Sequence, residues 1–112
     1  MSNADTRQAI ATALSTVSGV TGYPARPDAL SEGDGWPQWR GAATHAYAFE
    51  NTWAVLVVLP AGDVSADAFA DSHGESLVDA LRPIMFVDNI APATLDTEAG
   101  QMYALLISGR SE

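Results

Sequence analysis

The stretch His45-Ala46-Tyr47-Ala48-Phe49-Glu50-Asn51-Thr52-Trp53-Ala54-Val55-Leu56-Val57-Val58-Leu59 decides the fold class. Its odd positions Tyr47, Phe49, Trp53, Val55, Val57 and Leu59 are large and apolar, whereas Ala46, Ala48, Glu50, Thr52 and Ala54 are small or polar. A period of two predicts a strand with one buried face. From Val55 to Leu59 both faces turn apolar, as for a strand covered on both sides. Fully extended, the segment spans roughly 50 Å. A domain of this size has a radius of gyration near ~13 Å, so it is only about 35 Å across. The strand is therefore expected to bend at Glu50-Asn51, or to project as a hairpin with open backbone edges.

Upstream, Trp36–Arg40 reads as the partner strand, with a turn at Gly41–Thr44, so the projecting hairpin covers 36–59. Before it, residues 22–37 form a long loop holding Pro24, Pro27, Gly33, Gly35 and Pro37. Loops of that length in a compact domain are usually functional or mobile. A short strand near Val20–Tyr23 precedes the loop. The first helix is expected over Thr6–Val17, capped by Asp5 or Thr6, with Ile10, Leu14 and Val17 on one stripe. Ser18-Gly19 ends it.

Downstream, Pro60-Ala61-Gly62-Asp63 is a turn, and a second helix runs over Ser65–Leu81 with Ser65 as N-cap. Phe69, His73, Leu77 and Leu81 form its inner stripe, and Gly74 weakens its middle by about 1 kcal/mol relative to Ala. Arg82-Pro83 stops it. Two strands, Phe86–Asp96 and Gln101–Ser108, close the chain around a turn at Thr97–Gly100. Pro92 marks its strand as an edge or a bend. Helix, hairpin, helix, hairpin predicts a single α+β domain over 1–112. Its sheet, antiparallel or mixed, has about four strands, with both helices packed on one face.

Composition narrows the function. Of 112 residues only 24 are Val, Ile, Leu or Phe, while 20 are Ala. The aromatic residues must supply much of the core, and a thin core makes burial against a partner attractive. With no Cys there is no disulfide framework, thiolate nucleophile or Cys-based zinc site. Met1 to Thr6 are polar and lead into no apolar run, and the longest apolar run, Trp53–Pro60, is too short to span a bilayer. The expectation is a protein cytosolic when made, with no membrane contact. The net charge is −9, with five Arg and no Lys. The five arginines are scattered singly, whereas gripping nucleic acid needs clustered cations.

Candidate chemistry is thin. Ser76 lacks the glycine two residues on that a nucleophile elbow requires, since Val78 stands there. Asp71, His73 and Glu75 do not share one helix face, so they make no metal set. Gly33-Asp34-Gly35-Trp36 has neither the third glycine nor the lysine of a phosphate loop. No catalytic, cofactor or metal residues are assigned. Trp36 and Trp39, beside Arg40, are residue types enriched at interface hot spots. Their spacing puts them on opposite strand faces, one for the core and one for an interface. His45 and Tyr47, near the hairpin tip, complete the candidate contact set. On helix two, Asp67, Asp71, Glu75 and Asp79 repeat every four residues opposite the inner stripe, which predicts a solvated acidic wall.

The N-terminal helix, the Tyr23-Pro24 and Arg26-Pro27 stretch, Gly35-Trp36-Pro37-Gln38-Trp39-Arg40, Thr52-Trp53-Ala54-Val55-Leu56-Val57-Val58-Leu59-Pro60 and the ending Ala104-Leu105-Leu106-Ile107-Ser108-Gly109-Arg110 together resemble the tail terminator proteins of long-tailed phages, especially those of actinobacterial hosts. The resemblance covers nearly the whole chain. It implies a small α+β subunit of a homo-oligomeric ring, a hexamer, in the virion neck. Such a ring caps the major tail tube protein and joins it to the head-side connector or stopper. DNA passes through the bore without specific binding, and no enzymatic step or cofactor is needed. On that reading the acidic wall lines the bore and repels phosphate. Two alternatives answer to the same residues. One is another head–tail joining protein, a stopper or tail completion factor. The other is a small-ligand-binding α+β domain, for which Asn51 and His73 are the only clear convergent polar groups.

Overall fold

The Val55–Leu59 run lies at the centre of the molecule because both faces of its strand are covered. A computed structural model of the protein describes residues 2–45 and 48–112. The elements are α1 (Asn3–Ser15), β1 (Thr21–Gly22), β2 (Asp34–His45), β3 (Ala48–Val58), α2 (Asp63–Leu81), β4 (Phe86–Thr97) and β5 (Gly100–Ser111). The fold is α+β, with two helices and one mixed sheet in the order β1-β2-β3-β5-β4. The short stretch near Thr21 makes the sheet five-stranded rather than four-stranded, pairing parallel to β2 at Asp34 and Gly35. All other pairings are antiparallel.

Both helices lie on one face. Ile10 and Leu14 of α1 and Leu77 and Leu81 of α2 pack with Trp53, Val55 and Val57 of β3 and Leu105 and Ile107 of β5. Truncating a fully buried Leu of this set to Ala would cost about 2–5 kcal/mol. The opposite face is covered by the proline-rich loop. Tyr23 and Leu30 pack over Trp36, Leu56, Val58 and Ala104. Arg26 Nη2 donates to the Asp96 carbonyl at 3.1 Å, the Gly33 amide donates to the Val58 carbonyl at 2.8 Å, and the Ser31 amide donates to Asp34 Oδ2 at 2.9 Å. The long loop is thus the lid of a second small core, which explains why the strand reads as apolar on both faces.

Several element limits differ from the sequence expectation, each for a local reason. Helix α1 starts at Asn3, because Ser2 rather than Asp5 or Thr6 is the cap, its Oγ accepting from the Asp5 amide at 3.1 Å. Helix α2 starts at Asp63, with Gly62 at the cap position and no side-chain cap bond, so Ser65 lies inside the first turn. The expected turn at Gly41–Thr44 is strand. Ala42, Ala43 and Thr44 pair with Asn51, Glu50 and Phe49, and Gly41 sits where the β2–β3 register shifts, at φ +119°. That glycine makes a β-bulge, which needs the same positive φ as a tight turn. The pairing passes through Glu50 and Asn51 in register, and the one β2–β3 shift lies beside them at Trp39/Gly41; β3 is shorter than expected, since Ala48–Val58 spans roughly 36 Å.

The strands overrun one another at both ends. Ser111, the last residue of β5, pairs with Asn51, so the rungs Ala43–Glu50 to His45–Ala48 form a two-stranded ribbon beyond the sheet. At the other end Val58 pairs with Ala104, and the rungs Thr94–Tyr103 to Thr97–Gly100 project likewise. The molecule measures 46 × 28 × 20 Å. Phe49 follows the odd-position pattern yet is 56% exposed, because it lies on the ribbon, past the sheet's third strand.

Candidate assembly surface

Among the described residues, the two long outer strands lack an outer neighbour over most of their length. β1 covers β2 only at Asp34 and Gly35, so Trp36–His45 has one unpaired edge among the described residues. β4 is outermost on the other side, as Pro92 predicted. Pro92 and the register shift at Val87/Asn89 interrupt its row of donors, two devices that limit strand-on-strand association.

The two tryptophans of β2 divide as their spacing requires. Trp36 faces the loop side and is fully buried, so it belongs to the core. Trp39, paired in register with Trp53, lies on the helix-bearing side and is 45% exposed. Its Nε1–H donates to Asn51 Oδ1 at 2.9 Å. Arg40 is exposed and makes no ion pair among the described residues. His45 ends β2, but its side chain is outside the described residues, as is Tyr47 altogether.

At the opposite edge, a groove of about 400 Å³ runs between α2 and β4. Gly74 and Val78 form its helix wall, Ile90 and Pro92 its strand wall, and Leu105 its floor. Ile90 pairs with Ile107 and Pro92 with Leu105, both of the helix-side core, so this groove opens on the same side of the sheet as Trp39. Asp71, Glu75 and Asp79 rim it. Asp67 is exposed on the same helix. Asp79 is held by Arg82 at 3.0 Å, an exposed pair. Sequence reasoning found this acidic row but not the groove beside it, because α2 and β4 meet only through the tertiary fold.

A second feature missed in the sequence ties the far end of β4. Arg110 grips Asp88 through Nε–Oδ2 at 3.0 Å and Nη2–Oδ1 at 2.9 Å. Its Nη1 lies 3.7 Å from Glu50 Oε2, and the guanidinium stacks 4.8 Å from the Phe86 ring. The hydrogen bond and charge of Asp88 push the Arg110 pKa above its ordinary value. Planar bidentate geometry of this kind gives orientation as well as attraction.

Asn51 and His73, the polar groups a ligand pocket would use, are both engaged within the fold. Asn51 is only 4% exposed and holds Trp39. His73 stacks on Phe69 with ring centroids 4.0 Å apart, and its Nδ1 lies 2.7 Å from Ser72 Oγ and 3.1 Å from the Phe69 carbonyl oxygen. Among the described residues no three His, Asp or Glu side chains are grouped to hold a metal ion, and no helix is long and apolar enough to cross a membrane. No protein-family model matches this chain, and no curated protein matches it.

Proposed function

We propose that this chain is a virion structural protein, the tail terminator of a long-tailed phage. Copies close into a ring, a hexamer, that caps the tail tube and joins it to the head-side connector. The observation that carries the reading is where the exposed apolar side chains fall. Trp39 lies on one outer strand, Phe86 and Ile90 on the other, and Phe49 and Tyr103 on the two projecting ribbons. Apart from Val64 at the start of α2, the exposed large apolar side chains fall on both sheet edges and both ends, which suits a subunit with neighbours on either side and above and below. The charge suits the bore. Six copies at −9 carry −54 formally, which favours sliding of DNA over binding to it.

Native mass spectrometry of the purified chain, alone and with the tail-tube protein encoded in the same genome, tests the proposal. The expected species is six times 11.7 kDa, about 70 kDa, or a tube complex containing it. A monomer or dimer indifferent to the tube protein overturns the reading.

A further inference from the structure

We infer that the ring closes head to tail by seating Trp39 and Arg40 of one copy in the α2–β4 groove of the next. The inference rests on the ring proposed above and names its contact. Three observations carry it. First, the strand directions close without conflict. Between β2 and β4 the sheet reverses three times, so β2 and β4 run opposite ways. A copy rotated about an axis parallel to the strands brings its β2 beside the neighbour's β4 in antiparallel sense, the commonest arrangement for adjacent strands. Second, Trp39 and the groove lie on the same, helix-bearing side of the sheet, at opposite edges. One rotation therefore brings them together, which makes the contact heterologous, the kind that closes rings.

Third, the two surfaces are complementary in chemistry. The groove has an apolar floor and an acidic rim, and at about 400 Å³ it is large enough to take an indole. The facing edge offers an exposed indole and, at the bulge that follows it and interrupts the strand's alternation, an exposed arginine with no ion pair among the described residues. Asp71 and Glu75 are exposed carboxylates with no arginine on them among the described residues, since Arg82 takes Asp79. Because Pro92 and the register shift at Val87/Asn89 break the donor row of β4, side chains carry the contact rather than a continuous ladder. Asp71 and Glu75 then sit at the boundary between copies rather than in the bore.

The chain has no cysteine, so engineered thiols report this contact alone. Arg40 and Glu75 lie at opposite sheet edges, and β2 and β4 are three strand spacings apart, roughly 14 Å, too far for a disulfide within one chain. Arg40→Cys/Glu75→Cys, oxidised under assembly conditions, is expected to give a covalent ladder up to the ring size. Each single variant is expected to stay uncrosslinked. Dimers from a single variant mean a two-fold contact and overturn the inference. So does a double variant that forms rings by native mass but gives no ladder, in which case the terminator reading still stands. Wild-type chain that forms no ring in either setting overturns both. As an independent check, Trp39→Ala is expected to raise the concentration needed for half-assembly at least tenfold while circular dichroism stays that of the folded chain; unchanged assembly counts against the seat.

Discussion

Trp39 Nε1 donates to Asn51 Oδ1 at 2.9 Å across the β2–β3 hairpin, on either side of the bulge at Gly41. The bond fixes the indole against the sheet while leaving almost half of the residue in solvent. A side chain oriented in advance loses less entropy when a neighbour covers it. The same bond satisfies an amide that is otherwise buried at the root of the projecting ribbon.

Asn51→Ala should therefore loosen this corner without unfolding the protein. Losing one internal hydrogen bond costs about 0.5–1.5 kcal/mol. Trp39, being half exposed, can turn its N–H to water. The expected outcome is a denaturation midpoint lowered by that amount with an unchanged m-value, and red-shifted tryptophan emission. An unchanged midpoint would show that the bond contributes nothing net.

Two buried tryptophans offer a matched comparison. Trp36 and Trp53 are both fully buried, but Trp53 Nε1–H donates to Ser111 Oγ at 2.8 Å, while Trp36 Nε1 has no partner among the described residues. Trp→Phe at either site opens a similar small void. At Trp36 it also removes an unsatisfied donor, which relieves a penalty of about 1–3 kcal/mol. At Trp53 it instead removes the bond to Ser111, a loss of about 0.5–1.5 kcal/mol. Trp53→Phe should therefore be the more destabilising by at least about 1 kcal/mol in urea unfolding. Equal losses would mean that Trp36 Nε1 is satisfied in solution.

Gly41 and Gly109 should resist substitution for different reasons. At Gly41 a Cβ would meet nothing within 4 Å, so the whole cost of Gly41→Ala is backbone strain at φ +119°, about 1–2 kcal/mol. At Gly109 a Cβ would run into Met85 Cε and lie 2.7 Å from the Phe86 carbonyl oxygen, so Gly109→Ala must displace the start of β4. Thermal melts should fall in both, with the Gly109 variant alone also changing the near-ultraviolet spectrum through Trp53. Equal spectra would show that Met85 yields without moving the strand.

The behaviour of Gly41 also shows where the sequence stops being readable. A glycine at positive φ serves a turn or a bulge equally well, and only the partner strand decides between them. The first helix start differed because Ser2, Asp5 and Thr6 are all good caps and residue type alone does not choose among them. By contrast, the Trp53–Leu59 alternation and the Leu77–Leu81 stripe were legible, because burial imposes its period directly on the sequence. The loop over Trp36 was legible only as a long loop, since its role as a lid depends on Arg26 reaching Asp96, 70 residues away. The acidic row was visible as a helical repeat, whereas the groove it borders needs β4 beside it.

On the proposed seat, Gly74 sets stability against assembly. A glycine inside a helix costs about 0.5–1 kcal/mol relative to alanine. Packing does not demand it, because a Cβ there would lie 3.6 Å from Ile90 Cδ1, an ordinary contact. Gly74→Ala should accordingly stabilise the isolated subunit by about 0.5–1 kcal/mol, raising its melting temperature by roughly 2–8 °C. The added methyl also enters the wall of the groove proposed to receive Trp39, so on that proposal ring formation should weaken as the subunit becomes more stable. Melting of dilute monomer and native mass spectrometry across a concentration series measure the two effects separately. A lower melting temperature would show that the helix is constrained at this point in a way its contacts do not reveal. A raised melting temperature with unchanged ring formation would mean that the groove does not receive the neighbouring copy.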